Sequence, residues 1–267
     1  MSLSNFQKRW IQIKAFSYKN WIITRRNVFS LSEILFWPLI ALFSVGLLTV
    51  FLGLDEAMRG FILIGVMSMS LIQVCQIDVA YALLYDLWAK AMKHTFIAPI
   101  HPYQLIAGAW LIGMARSLLV FFLLALFSGL AFGFNFFHGG VLPLVTLLLG
   151  LFLVSVSIGI AVCLLVLLFG YKAEVAAWSI TSLTALICGI YYPVSILPSP
   201  LPEIARAIPL TYFLEAFRSF YGFQGEGGVL MGWGFGLTGF YLALEAFLMR
   251  WAIRHARRNG TFIKLSE

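Results

Sequence analysis

Charge is what this sequence has least of. Of its 267 residues only 11% are Asp, Glu, Lys or Arg, whereas 61% are hydrophobic. A soluble domain keeps charged residues near ~25% of the total, so the apolar interior here would outgrow the surface available to cover it, and an ordinary soluble fold is excluded. Cysteine is scarce as well. Cys75, Cys163 and Cys188 each sit inside an apolar run, and an odd number of thiols in such places is a poor disulfide framework. The chain contains no Gly-x-x-x-x-Gly-Lys-Ser/Thr phosphate loop and no Gly-Lys pair at all, so it has no recognisable device for binding and splitting ATP. Its four histidines, His94, His101, His138 and His255, are scattered without metal-ligand spacing. Intramembrane carboxylates that could pair as acid and base are missing. No catalytic residue, metal or cofactor is therefore expected on this chain, and any work it does must draw on energy supplied elsewhere. Nor is a cleavable signal peptide visible, because the first ~25 residues lack the apolar centre such a signal needs.

What the sequence does have is long apolar runs. Several exceed the ~18 residues that mark a membrane-span candidate. The expected fold is an all-α integral membrane protein with a single transmembrane domain over residues 1–267 and six spans, at about 31–51, 60–81, 105–132, 141–169, 174–192 and 229–249. Before the first span, residues 6–26 alternate aromatics with cations: Trp10, Phe16, Tyr18 and Trp21 among Lys8, Arg9, Lys14, Lys19, Arg25 and Arg26. Phe6, Trp10 and Ile13 fall at helical spacing on one side, as expected of an amphipathic helix lying in the headgroup layer with its cations toward anionic lipid.

The formal charge of +7 does not point to nucleic acid. Lys and Arg of a membrane protein gather in cytoplasmic loops. Fourteen of the eighteen cations fall in the terminal segments and in the second-to-third and fourth-to-fifth links; Arg59, Arg206 and Arg218 fall on the other side, and Arg116 lies within a span. This places both termini in the cytoplasm, and an even number of spans agrees in setting them on one side.

Polar groups inside spans are costly and are functional candidates by default. Here they are Glu33 near the start of the first span, Asp78 in the second, Arg116 in the third and Glu245 in the sixth. Arg116 is open to three readings: snorkelling inward, pairing with Asp78 or Glu33 as a structural ion pair, or contacting a substrate.

Two links are more than connectors. Residues 82–104 read as a short cytoplasmic helix stopped by Pro99 and Pro102. Asp86 and Lys90 stand one helical turn apart in the favourable order, and Lys93 and His94 extend the polar surface. Residues 193–221 follow a run apolar enough to lie in lipid, yet Pro193, Pro198, Pro200, Pro202 and Pro209 break it. Broken backbone at membrane depth is tolerated only where protein or water shelters it. The expectation is a turn after Tyr192, then a short amphipathic piece with Phe213, Phe217 and Phe220 on one side and Glu215 and Arg218 on a neighbouring face, re-entering the outer leaflet as a rim or gate.

Three segments together carry a resemblance: Phe96-Ile97-Ala98-Pro99-Ile100; Gly113-Met114-Ala115-Arg116; and Tyr192-Pro193 through Leu197-Pro198, Ile208-Pro209-Leu210-Thr211 and Glu215-Ala216-Phe217-Arg218. Over nearly its full length the chain resembles a permease subunit of the type-2 ABC exporters, the class that includes bacterial drug, lipo-oligosaccharide and O-antigen export permeases. The resemblance implies a protein of the bacterial cytoplasmic membrane. It implies an ATP-binding cassette subunit as partner, with ATP and Mg held there, and a second permease copy, a homodimer being the simplest arrangement. It also makes 82–104 the coupling segment, with Asp86, Lys90, Lys93, His94 and Pro99 at the contact, and 193–221 the outer hairpin. The exported substrate would be an amphiphile: a lipid-linked glycan, a lipid or a drug. One departure is that Lys93 and His94 stand where the family usually has acidic residues. Alternatives on the residues alone are an ion-coupled secondary transporter, a membrane-embedded transferase and a purely structural membrane subunit.

Overall fold

In the computed structural model the described residues are 5–26, 28–97, 101–224 and 226–258, and all their regular structure is helical. Ten α-helices follow in order: α1 (Asn5–Arg26), α2 (Val28–Phe51), α3 (Glu56–Trp88), α4 (Met92–Ile97), α5 (Pro102–Phe132), α6 (Val141–Phe169), α7 (Ala176–Ile187), α8 (Leu201–Arg206), α9 (Pro209–Ser219) and α10 (Gly227–Arg258). Five of them are long and apolar enough to cross a membrane: α2, α3, α5, α6 and α10. The first four alternate in direction, and α10 runs parallel to α6. One end of the bundle, the terminal end, holds α1, α4 and the close of α10; the other, the hairpin end, holds α8 and α9.

Helix α3 is the axis. Asp55 caps its start by accepting the Met58 amide at 2.8 Å, as an N-cap carboxylate does. Its residues are buried along most of its length, packed against α2, α5 and α6. Small residues make this possible. A Cβ on Gly113 of α5 would lie 2.9 Å from the Cys75 carbonyl, and one on Gly159 of α6 would lie 2.5 Å from Val79. Such close approach is how helices gain packing when lipid removes the hydrophobic drive between them. The core divides into a hairpin-end cluster around Leu63, Phe121, Phe136, Phe213 and Phe217, and a terminal-end cluster around Val79, Leu83, Ala109, Val166 and Ala252.

By contrast α2 and α10 turn most of their surface outward. Phe36, Trp37, Leu47 and Leu48 of α2 and Trp233, Phe240 and Phe247 of α10 are exposed. Pro38 sits inside α2 and, lacking an N–H, leaves the carbonyl of Ile34 without its helical partner.

Helix α1 docks along the start of α5 instead of standing apart from the bundle. The Ser17 hydroxyl donates to the Gly108 carbonyl at 3.0 Å, and Ile13 and Phe16 are half-buried there. Trp10, Ile11, Tyr18 and Trp21 face outward, with Lys14 Nζ 5.5 Å from the Trp10 ring centre. The Phe6 side chain lies outside the described residues.

The region expected as a fifth span, 174–192, differs from a simple crossing. It contains a 12-residue helix, α7, about 18 Å long at 1.5 Å per residue, against a hydrocarbon core of ~30 Å. The chain leaves α7 through Gly189, at φ +72, and turns back along α8 and α9. Hydropathy runs on past residue 187, but the backbone does not continue as helix.

Candidate functional site

The end of α7 is where the chain's physics is most exacting. Gly189 and Ile190 carry backbone carbonyls out of a finished helix into a buried place, where unpaired polar groups are expensive. Arg218 of α9 meets that need. Its guanidinium donates to the carbonyls of Gly189 at 2.6 Å, Ile190 at 3.0 Å and Phe61 at 2.9 Å. It also lies 3.4 Å from the centre of the Phe61 ring, a cation–π contact. The side chain is only 2% exposed. Gly65 makes room for it: a Cβ there would stand 2.0 Å from the Ile190 carbonyl oxygen and 2.8 Å from Arg218 Nη2. Phe61 and Gly65 lie five and nine residues inside the first residue of α3, so the turn sits about 8–14 Å along that helix.

The other residues expected at this end fall into place around the lock. The Tyr192 hydroxyl donates to the Leu186 carbonyl, tying the turn to α7. Pro193 precedes a short 3-10 turn at Val194–Ile196, and Pro198 is exposed beyond it. Pro209 occupies the first position of α9, where its missing N–H costs nothing. Thr211 donates to the Ala205 carbonyl at 2.7 Å. Phe217 stacks on Phe136 at 5.1 Å, and the Tyr221 hydroxyl donates to the Phe136 carbonyl at 2.6 Å. Glu215 is half-buried and forms no salt bridge with Arg218 among the described residues. Arg218 is thus an interior fastener and does not lie on an exposed rim.

Midway down the bundle, Arg116 pairs with Asp78 and also donates to the Thr24 hydroxyl at 3.3 Å. Of the partners open to Arg116, the geometry selects Asp78, joining α5, α3 and α1. The side chain of Glu33 lies outside the described residues. Glu245 is 9% exposed and accepts from Ser157 of α6 at 2.8 Å, while its Oε2 has no partner among the described residues.

At the terminal end, Asp86 is not displayed as expected. It is 4% exposed. Lys19 of α1 pairs with it at 2.6 Å and Thr95 of α4 donates to it at 2.8 Å. Helix α3 ends at Trp88, and Lys90 stands in the following turn with φ +53, so the helical spacing expected between Asp86 and Lys90 is broken. Asp86 is a knot holding three helices, and the exposed polar groups are Lys90 and His94. The Lys93 side chain and Pro99 lie outside the described residues. The sequence named neither Lys19 nor Thr95 as a partner of Asp86; their separations of 67 and 9 residues carry no local signal.

Comparison with known proteins places this geometry. The profile of the ABC-2 type transporter family matches residues 11–221. The chain belongs to that family. The matched region takes in α2 to α9 whole, including the Arg218 lock and the Asp86 knot. An inner membrane transport permease of Escherichia coli strain K12, YadH, is 28% identical over 195 residues, covering 71% of this chain and 74% of that protein. The permease of the same name in Shigella flexneri matches equally. An uncharacterised protein of Archaeoglobus fulgidus is 48% identical over 55 residues, 21% of this chain and 86% of that protein. The chain is thus a multi-pass membrane protein of a transporter family, as the resemblance implied.

Proposed function

We propose that this chain is the permease subunit of an ATP-driven exporter that moves an amphiphile from the cytoplasmic side outward. The carrying observation is the knot at Asp86. It ties α4, with the exposed Lys90 and His94 beside it, to both α1 and the axial helix α3. A push on α4 is thereby delivered to the helix that packs against α2, α5, α6, α7 and α9. The push comes from a separate ATP-binding cassette subunit that holds ATP and Mg, since this sequence has no phosphate loop; this chain is not itself an enzyme.

In this reading the terminal end faces the cytoplasm and the hairpin end faces outward, in the inner membrane of a bacterium. The fifth crossing is composite: α7 rises part of the way, and α8 and α9 close the outer half as a re-entrant hairpin sheltered by α3, α6 and α10. Irregular backbone at that depth needs such shelter, and Arg218 provides the donors. A second copy completes the translocation path, and most of the exposed apolar surface of α2 faces it or lipid.

The test is reconstitution with the ATPase that co-purifies from the native host. Placing acids there by Lys90→Glu and His94→Glu, both at exposed positions, is expected to abolish stimulation of ATP hydrolysis without lowering the melting temperature. Unchanged hydrolysis would refute the placement of the contact. Robust transport by vesicles containing this chain alone under an ion gradient would refute the ATP-driven reading in favour of a secondary transporter.

A further inference from the structure

The terminal end of α3 carries three aromatic rings, with a carboxylate brought beside them, that nothing above employs. Tyr81, Tyr85 and Trp88 stand at i, i+4 and i+7, on one face of the helix. Their ring centres are 5.2, 5.3 and 5.6 Å apart, all edge-to-face. The link after α6 brings Glu174 to their rim, where the Trp88 indole N–H donates to Glu174 Oε2 at 3.2 Å. The Tyr171 hydroxyl, donating to the Leu87 carbonyl at 2.9 Å, fixes that link against the end of α3.

A cluster serving only to pack would bury its rings and pair its acid with a cation. Here Trp88 is 41% exposed and the two tyrosines are half-buried. Trp178, one helical turn beyond Glu174, is exposed as well. Among the described residues no Lys, Arg or His pairs with Glu174, although this end of the bundle is rich in cations. Aromatic faces attract weakly hydrated organic cations through the ring quadrupole, and quaternary ammonium groups are the ligands most characteristic of ring clusters. A carboxylate at the rim adds charge complementarity and turns away anions of the same size.

We propose that Tyr81, Tyr85, Trp88 and Glu174 form a binding site for the head of a cationic amphiphile, of the quaternary ammonium or phosphonium class. As a substrate site this rests on the export reading, which leaves the kind of amphiphile open; as a binding site it stands apart from it. Placed where the terminal end meets the headgroup layer, the cluster collects a cation whose apolar part still lies in the bilayer.

The test is equilibrium dialysis of the full chain in dodecylmaltoside against tetraphenylphosphonium and against tetraphenylborate, ions of one shape and opposite charge. Saturable binding of the cation alone is expected. Glu174→Gln should weaken it about tenfold and Tyr85→Leu several-fold, the range of a partly desolvated cation–π contact with its counter-charge. Glu174→Asp should retain most of the affinity, which separates lost charge from lost folding. Equal binding of both ions by the unaltered chain, or undiminished affinity in a folded Glu174→Gln protein, would overturn the proposal. Because dialysis needs neither nucleotide nor partner, failure of ATP-driven transport would sink the export reading and leave this site standing. Absence of cation binding would sink the site and leave export untouched.

Discussion

Replacing Arg218 by Ala tests the central structural argument. The guanidinium supplies hydrogen bonds to three buried carbonyls, at 2.6, 2.9 and 3.0 Å, and rests on the Phe61 ring. Phe61 lies within α3, so its carbonyl retains a helical partner; those of Gly189 and Ile190 do not belong to a helix. Leaving a buried acceptor unpaired costs about 1–3 kcal/mol, and the truncation also leaves a cavity. The expected loss is about 3–5 kcal/mol, from the two orphaned carbonyls together with the cavity. For a chain of this size that corresponds to a fall of roughly 10 °C in melting temperature. Arg218→Lys should recover only part, because one ammonium cannot span three acceptors and lie flat on a ring at once. The assay is built in. Cys75, Cys163 and Cys188 are all buried as free thiols, so a thiol-reactive fluorophore reports unfolding in detergent. An Arg218→Ala protein that melts with the unaltered chain would refute the account of how the chain breaks its helix at Gly189.

Two further predictions use the same measurement. Gly65→Ala should fail to accumulate as folded protein, since the added methyl would meet backbone at 2.0 Å, whereas Gly129→Ala, with its nearest neighbour at 3.7 Å, should melt within a degree or two of the unaltered chain. Removing either partner of the buried Asp78–Arg116 pair should cost about 3–5 kcal/mol, while Asp78→Leu with Arg116→Leu should recover much of that loss. Additive losses in the double variant would show that the two groups do not depend on each other.

How much of this was legible in the sequence depended on the range of the cause. The places of the five long apolar helices were legible because hydropathy is a property of the run itself, although α3 and α10 continue past the ends expected at residues 81 and 249. The proline-rich turn was legible because proline removes a donor wherever it stands. The shortness of α7 was not: residues 174–192 remain apolar to the end, and the break is set by Gly189 and by a donor 29 residues away. Asp86 was misjudged for the same reason. Its helical neighbours suggested an exposed face, while the side chain that buries it comes from α1. Gly65 gave no local sign of its necessity, which arises only from the approach of Ile190. Arg116 shows the intermediate case, in which the sequence supplied possible partners and the packing chose among them.

Pro38 leaves one rung of the α2 ladder permanently empty, on a helix that shares little surface with its neighbours. A straight helix must give up a hydrogen bond to flex sharply, yet at this turn there is none left to lose. A bend at Pro38 would therefore break no further rung, and what holds the two halves of α2 in line is the packing of Ile34, Leu39 and Leu42 on the core.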